Sequence, residues 1–240
     1  MNKYFILRLI KIFNFKIIIS KIRLLIFNLI KKPKYIVLKN KKFFLYNGLD
    51  KEINTPSSYL YSYRNLYEKK EINFLNKKIM KLDGAIDVGA NIGFYSYFLL
   101  NKIIDKKFLY IFEPKKELNS LIIKNCSPFK NFKIFNKKVG IGKNNLRLDN
   151  IVKNKIDFIK IDIDGKELDV LKSAEKIIDN YKPKILVEIA EDSLLLHQIH
   201  YSDIVNFLNK KKYSCYEIND YPKIFTRKLF KGEVLNLYCE

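Results

Sequence analysis

Short apolar runs alternate with amphipathic segments along the chain from residue 85 onward. The runs are rich in Ile, Val and Phe, which favours strands, and they cover residues 85–88, 108–114, 131–135, 156–162 and 184–189. Segments with apolar residues at helical spacing cover residues 94–103, 115–126, 165–179 and 202–211. Two more apolar runs, at 213–218 and 234–239, predict closing strands. The alternation predicts an α/β fold with a doubly wound, mostly parallel, seven-stranded sheet.

The first 81 residues follow a different pattern. Residues 1–34 are apolar but interrupted every few positions by Lys or Arg, which predicts a basic amphipathic helical arm. Two β-rich runs around a polar turn predict a hairpin over 35–48, and helical spacing over 56–81 predicts two short helices. We expect this segment, residues 35–81, to pack on the main domain, residues 82–240, because no linker or repeat separates the two.

The net charge of +21 is concentrated near the N-terminus. Residues 1–49 contain twelve Lys or Arg and no acid, although an A/T-rich genome would by itself raise the lysine count. Three roles for the arm are open: it packs on the protein or a second copy, it lies on an anionic membrane through residues 1–32, or it contacts nucleic acid. Its apolar character favours lipid over phosphate. Its longest uncharged run, Leu24–Ile30, is too short to span a bilayer.

The cysteines indicate the compartment. Cys126, Cys215 and Cys239 are scattered and odd in number, so they indicate neither a disulfide framework nor a zinc site. Such usage is typical of a reducing compartment. We therefore expect a cytoplasmic protein, held at the inner membrane face if the arm binds lipid.

The stretch AIDVGANIGF, residues 85–94, carries the first candidate site. Asp87 ends a predicted strand, and two glycines in the next six residues lead into a helix, where bare backbone can approach a ligand. Glu113 ends the next strand, 20 residues after Gly93, and is placed to accept the hydroxyls of a ribose. Ligands of such sheets bind beyond the carboxyl ends of the strands, so the pattern predicts a nucleoside site.

The acidic residue before the turn indicates which nucleoside cofactor the site would bind. A dinucleotide site favours G-x-G-x-x-G, whereas this turn has Gly89, Asn91 and Gly93 with Asp87 before them. An acid there repels a diphosphate and suits an ammonium and a sulfonium. The pattern favours S-adenosylmethionine over NAD.

Three blocks of sequence resemble the FkbM family of S-adenosylmethionine-dependent methyltransferases. They are AIDVGANIGFYS, IFEP and the long block LDNIVKNKIDFIKIDIDGKELDVLKSAEKIIDNYKPKILVEI. The resemblance covers roughly residues 82–190. It implies a class I, Rossmann-like methyltransferase fold and O-methylation of a small molecule or glycan.

The resemblance also implies roles for individual residues. It assigns cofactor binding to Asp87, Gly89, Ala90, Asn91, Gly93, Phe94, Glu113, Pro114 and Val139. Asp164 stands where the family more often has Glu, and Ala190 stands where a His is common. If that His assists the acceptor, this chain needs a substitute, and Glu191 is the nearest candidate in sequence.

Two carboxylates are candidates for the chemistry of methyl transfer. Asp162 and Glu188 end strands that are adjacent in the predicted order, so both can face an acceptor hydroxyl that must lose its proton. Asp162 could instead order the loop or hold the cofactor, and Glu188 could cap a helix. The pair could also hold a divalent cation, which we do not expect. Lys160 shares their face only if its strand is regular.

The expected function is O-methylation of a hydroxyl on a sugar, polysaccharide or lipid-linked glycan. The acceptor follows from the family resemblance alone. An RNA methyltransferase is an alternative, suggested by the charge, although nucleic acid is the less favoured partner. A non-catalytic module that binds S-adenosylmethionine is the other alternative.

Overall fold

The computed structural model describes residues 22–23, 34–38, 41–46, 57, 60, 67–230 and 232–240. The predicted arm and most of the predicted helices before residue 67 lie outside these residues. The chain divides into two compact units, Met1–Lys69 and Lys70–Glu240.

The first unit contains the predicted hairpin. Strands β1 (Tyr35–Leu38) and β2 (Lys41–Phe44) pair antiparallel, with Tyr35 opposite Phe44. The rings of Tyr35 and Phe44 meet edge to face with their centroids 6.0 Å apart. The hairpin prediction is therefore confirmed.

The second unit alternates strands and helices. Its strands are β3 (Leu82–Val88), β4 (Ile103–Phe112), β5 (Phe132–Phe135), β6 (Phe158–Ile161), β7 (Lys184–Ala190), β8 (Cys215–Glu217) and β9 (Val234–Cys239). Its helices are α1 (Lys69–Lys78, beginning one residue before the unit), α2 (Phe94–Leu100), α3 (Lys116–Asn125), α4 (Leu148–Ile151), α5 (Glu167–Ser173), α6 (Glu175–Tyr181), α7 (Glu191–Leu196) and α8 (Tyr201–Lys210), with a 3₁₀ turn at Ile218–Asp220.

Seven strands of the described residues form one sheet in the order β5-β4-β3-β6-β7-β9-β8. The first five are parallel, β9 runs antiparallel to β7, and β8 runs antiparallel to β9. This confirms the predicted mostly parallel sheet of seven strands. The strand order reverses at β3, so the switch point of the sheet lies between β3 and β6, where ligands of such folds bind.

The two faces of the sheet support separate apolar cores. Ile86 and Ile159 belong to one buried cluster, whereas Ala85, Phe158 and Leu186 belong to the other. This follows from the period-two alternation of side chains along a strand. Burying an Ile or Leu completely stabilises the fold by about 1.5–3 kcal/mol, so the central strands anchor the sheet firmly.

Some predicted boundaries are wrong. Helix α2 ends at Leu100 and β4 begins at Ile103, five residues before the predicted strand. The helix predicted over 165–179 is two helices that meet at Ala174. The second of them, α6, begins there because the carboxylate of Asp149 accepts hydrogen bonds from two N–H groups of its first turn, each at 3.1 Å.

Two short helices, α4 and α7, were not predicted, since each has at most six residues. Within the residues that the structure describes, no helix has the length and apolar character needed to cross a bilayer.

Candidate active site

Three acidic side chains meet where β3, β6 and β7 end. The three strands are neighbours and parallel. Asp87 is the next-to-last residue of β3, Asp162 directly follows β6, and Glu188 lies near the end of β7. The predicted adjacency of the strands carrying Asp162 and Glu188 is thus observed.

The turn after β3 has a backbone that requires glycine. Gly89 and Gly93 have φ of +83° and +80°, and Asn91 has φ of +49°. A Cβ on Gly89 would lie 1.7 Å from the backbone oxygen of Asp162. The turn therefore packs directly on the loop after β6. It ends at Gly93, the N-cap residue of α2.

Asp87 presents one carboxylate oxygen that the described residues leave unpaired. Its side chain is fully buried, and Oδ2 accepts a hydrogen bond from the Ser96 hydroxyl at 2.6 Å. Oδ1 has no hydrogen-bond partner among the described residues. Burial raises the pKa of Asp87, against the opposing effects of the Lys160 charge and the Ser96 hydrogen bond. Such a group favours a cationic donor as its ligand.

Asn91 offers a second unpaired oxygen. Three buried side-chain oxygens lack a hydrogen-bond partner in the described part of the chain, and two of them belong to Asp87 and Asn91. Buried polar atoms are normally satisfied, so two unpaired acceptors, one at the end of β3 and one in the turn after it, indicate a ligand with hydrogen-bond donors. The third, Oε2 of Glu167, lies at the start of α5.

Glu113 is held by the backbone around it. Its Oε2 accepts the N–H of Asn91 at 2.8 Å, and its Oε1 accepts the N–H of Lys115 at 2.9 Å. The side chain is 5% exposed, and burial raises its pKa although both hydrogen bonds oppose the shift. Each carboxylate oxygen keeps a second lone pair. The predicted ribose contact is compatible with this geometry.

The remaining predicted cofactor residues surround this centre. Ala90 and Val139 are buried, Phe94 is half-buried and Pro114 is exposed. Val139 forms a β-bridge with Leu146 in the loop after β5.

Lys160 is a site residue that sequence reasoning left undecided. Its Nζ lies 2.6 Å from Oδ2 of Asp162 and 4.6 Å from the centre of the Tyr95 ring. The strand is regular, so both residues share a face. The alternation of Lys160 and Asp162 was the signal that could have identified it.

The charges of this cluster are strongly coupled. Burial lowers the pKa of Lys160, but the charges of Asp162, Asp87 and Glu188 outweigh it, so the pKa rises. Burial acts to raise the pKa of Asp162, but the Lys160 charge and a hydrogen bond with Glu188 lower it. Asp162 is therefore a carboxylate, and 34% of its side chain is exposed, against 4% for Lys160.

Glu191, the nearest substitute in sequence for the missing His, is engaged elsewhere. Its Oε1 lies 2.9 Å from Nε2 of His200, and its Oε2 accepts the N–H of Tyr201 at 3.4 Å. Glu191 thus ties the start of α7 to the start of α8. His197 follows α7 and His200 caps α8, so the two histidines do not share a helix.

The described residues contain no group of three His, Cys, Asp or Glu side chains arranged to hold a metal ion. The cation beside Asp162 is the ammonium of Lys160.

Comparison with known proteins identifies the fold. Residues 127–215 match the family model of the methyltransferase FkbM domain. No curated protein matches the chain. The FkbM methyltransferase from Methylobacillus flagellatus KT superposes with a TM-score of 0.51 and 15% identity, over 80% of this chain and 56% of that one. A putative rRNA-methylase from Clostridium thermocellum gives 0.52 and 11%, over 72% and 93%.

A third similar structure contains a ligand. The N-methyltransferase NodS from Bradyrhizobium japonicum WM9, in complex with S-adenosyl-L-homocysteine, superposes with a TM-score of 0.50 and 9% identity, over 72% of this chain and 85% of that one. At such identities the likeness shows the fold alone, which is that of the class I methyltransferases. The predicted fold class is confirmed. The chain spans 56% of the length of the Methylobacillus protein.

Proposed function

We propose that this chain, whose residues 127–215 match the methyltransferase FkbM domain, transfers a methyl group from S-adenosylmethionine to a hydroxyl oxygen of a saccharide. The acceptor would be a sugar, a polysaccharide or a lipid-linked glycan. The observation that supports transfer to a hydroxyl is the Asp162–Glu188 pair beside the glycine turn, at the switch point of the sheet, whereas the saccharide follows from the family resemblance.

The residues present fit the cofactor. When bound, S-adenosylmethionine supplies a methyl group on a positively charged sulfur. The unpaired oxygens of Asp87 and Asn91 suit its ammonium, and the bare backbone at Gly89 leaves room for its methionine end. Glu113 would accept a hydrogen bond from a ribose hydroxyl. The fixed hydrogen bonds of these side chains position the ligand, and positioning supplies much of the rate of such a displacement.

The chain's own part in the chemistry is to receive a proton. A sugar hydroxyl must lose its proton near the transition state, and a positioned carboxylate contributes about 10²–10⁴-fold to such a step. Asp162 and Glu188 share a hydrogen bond at the partly exposed edge of the sheet. One of them can therefore accept the proton while the other orients the hydroxyl.

Methyl transfer from labelled S-adenosylmethionine into fractions of the host lysate tests the proposal. The saccharide and glycolipid, RNA and protein fractions are counted separately, with Asp87→Ala as the blank. We expect label in the saccharide fraction that disappears with Asp87→Ala. Label in RNA, as the net charge of +21 would permit, would refute the saccharide acceptor.

A calorimetric titration with S-adenosylmethionine separates the remaining outcomes. Binding that Asp87→Ala abolishes, without label in any fraction, would contradict methylation of a lysate acceptor and support a binding module. Failure of the wild-type protein to bind would contradict the cofactor itself.

A further inference from the structure

The ammonium group of Lys160 interacts with three acidic side chains at the centre of the site. Strand β6 lies between β3 and β7, and Lys160 is the register partner of Asp87 across the β3–β6 pair. The charges of Asp162, Asp87 and Glu188 all act on Lys160. Each of the three strands therefore contributes an acid to the same cation.

The side chain of Lys160 is almost completely buried. Only 4% of its side chain is exposed, and the Tyr95 ring from α2 covers the ammonium at 4.6 Å. A buried ammonium is very costly unless carboxylates compensate it. Its shortest contact, 2.6 Å to Oδ2 of Asp162, is a charge-assisted hydrogen bond. The ammonium is bound by Asp162 and covered by the Tyr95 ring, so it acts on an acceptor through Asp162.

We propose that Lys160 is a positioning residue that holds Asp162 as a fixed carboxylate, so that the proton of the Asp162–Glu188 hydrogen bond stays on Glu188 and Asp162 receives the acceptor's proton. This role deepens the proposed function and rests on it. In the proposed step the O–H bond of the acceptor breaks, its proton passes to the carboxylate of Asp162, and the freed oxygen bonds the methyl group as the bond between carbon and sulfur breaks.

The proposal predicts how stability depends on pH when the ammonium is removed. In Lys160→Met, the partly buried Asp162 and the fully buried Asp87 lose their counter-charge, so both pKa values rise. The folded protein then binds protons that the unfolded chain releases, and stability falls as pH rises above the unfolded pKa. The other groups facing Lys160 are Glu188, which adds to this effect, and the Tyr95 ring.

Thermal unfolding of the ligand-free protein between pH 5 and 8 measures this effect without any methyl transfer. The matched control is Lys155→Met, which removes a surface ammonium that pairs with Asp83 at 3.3 Å and with Asp157 at 3.1 Å. We expect the Tm of Lys160→Met to fall more steeply with pH than that of the wild type, and Lys155→Met to run parallel to the wild type. A Lys160→Met curve parallel to the wild type would overturn the proposal.

A double variant covers the case in which Lys160→Met does not fold. Lys160→Met/Asp162→Asn removes the carboxylate that has lost its partner, so we expect it to be more stable at pH 8 than Lys160→Met alone. A double variant that is no more stable would show that Lys160 acts by packing and would refute the role.

Activity supplies the second readout. We expect the acidic limb of the kcat profile of Lys160→Met to lie about one pH unit or more above that of the wild type, and Lys160→Arg to restore part of the difference. An unshifted limb would contradict the role. If the wild type methylates no saccharide, the proposed function fails, while the stability curves still decide whether Lys160 holds Asp162 ionised.

Discussion

Replacing Gly89 with alanine tests whether the turn after β3 and the loop after β6 pack so rigidly that neither can move to admit a methyl group. The added Cβ would lie 1.7 Å from the backbone oxygen of Asp162, whereas real Cβ contacts are essentially never under 3.0 Å, so the two must separate by about 1.3 Å (3.0 minus 1.7). The φ of +83° adds left-handed strain of about 1–2 kcal/mol. Overpacking costs about 1–3 kcal/mol more. Because Asp162 belongs to the proposed proton-exchanging pair, a shift of about 1 Å should reduce kcat about 100-fold.

Gly93→Ala is the matched control. Its φ of +80° imposes the same strain, but its added Cβ would lie 3.3 Å from the nearest atom, Cα of Ile122. We expect urea denaturation to show a loss of about 1–2 kcal/mol for Gly93→Ala and of about 2–5 kcal/mol for Gly89→Ala. Initial rates with labelled S-adenosylmethionine measure kcat. Equal free energies of unfolding for the two variants would show that the Asp162 loop yields freely, and would refute the reasoning.

Two further predictions concern buried polar groups. Glu113→Gln should lower the free energy of unfolding at pH 7 by about 1–3 kcal/mol, because the new amide leaves one backbone N–H without an acceptor. The control is the exposed Glu117→Gln, which should change the free energy of unfolding by less than about 0.5 kcal/mol. In the wild type, burial raises the pKa of Glu113, so stability declines as pH rises above 4.5, and Glu113→Gln should remove that decline. Urea titrations at several pH values measure the decline. Equal slopes of stability against pH in the wild type and in Glu113→Gln would contradict the assignment. The three cysteines are buried, and burial raises the pKa of Cys239. Native protein at pH 8 should therefore resist iodoacetamide, whereas mass spectrometry of unfolded protein should show three carbamidomethyl labels. Rapid labelling of the native protein would contradict the burial.

Much of the fold could be predicted from the sequence, because buried parallel strands leave uninterrupted apolar runs. The first polar residue after such a run marks the carboxyl end of the strand. That signal located Asp87, Glu113 and Asp162, and with them the edge of the sheet where ligands bind. The roles of these residues stay predictions until the variants are measured.

Other features could not be predicted, because they depend on contacts distant in sequence. Asp149 caps α6 from 27 residues away, so local periodicity showed one continuous helix. Cys215 and Cys239 seemed scattered, yet they are register partners on β8 and β9 with their sulfur atoms 3.0 Å apart. Whether Lys160 reaches Asp162 depended on the regularity of β6, which spacing alone does not fix.

The lengths of the outermost strands bear on how the protein behaves in solution. Among the described strands, the sheet ends in β5 on one side and β8 on the other, with four and three residues, whereas β4 in its interior has ten. An exposed edge is a template on which another chain can add a strand, and short edges and lysines limit that hazard. Lys133 lies exposed on β5. The two outermost strands are therefore short, and each offers few free backbone groups on which another chain could add a strand.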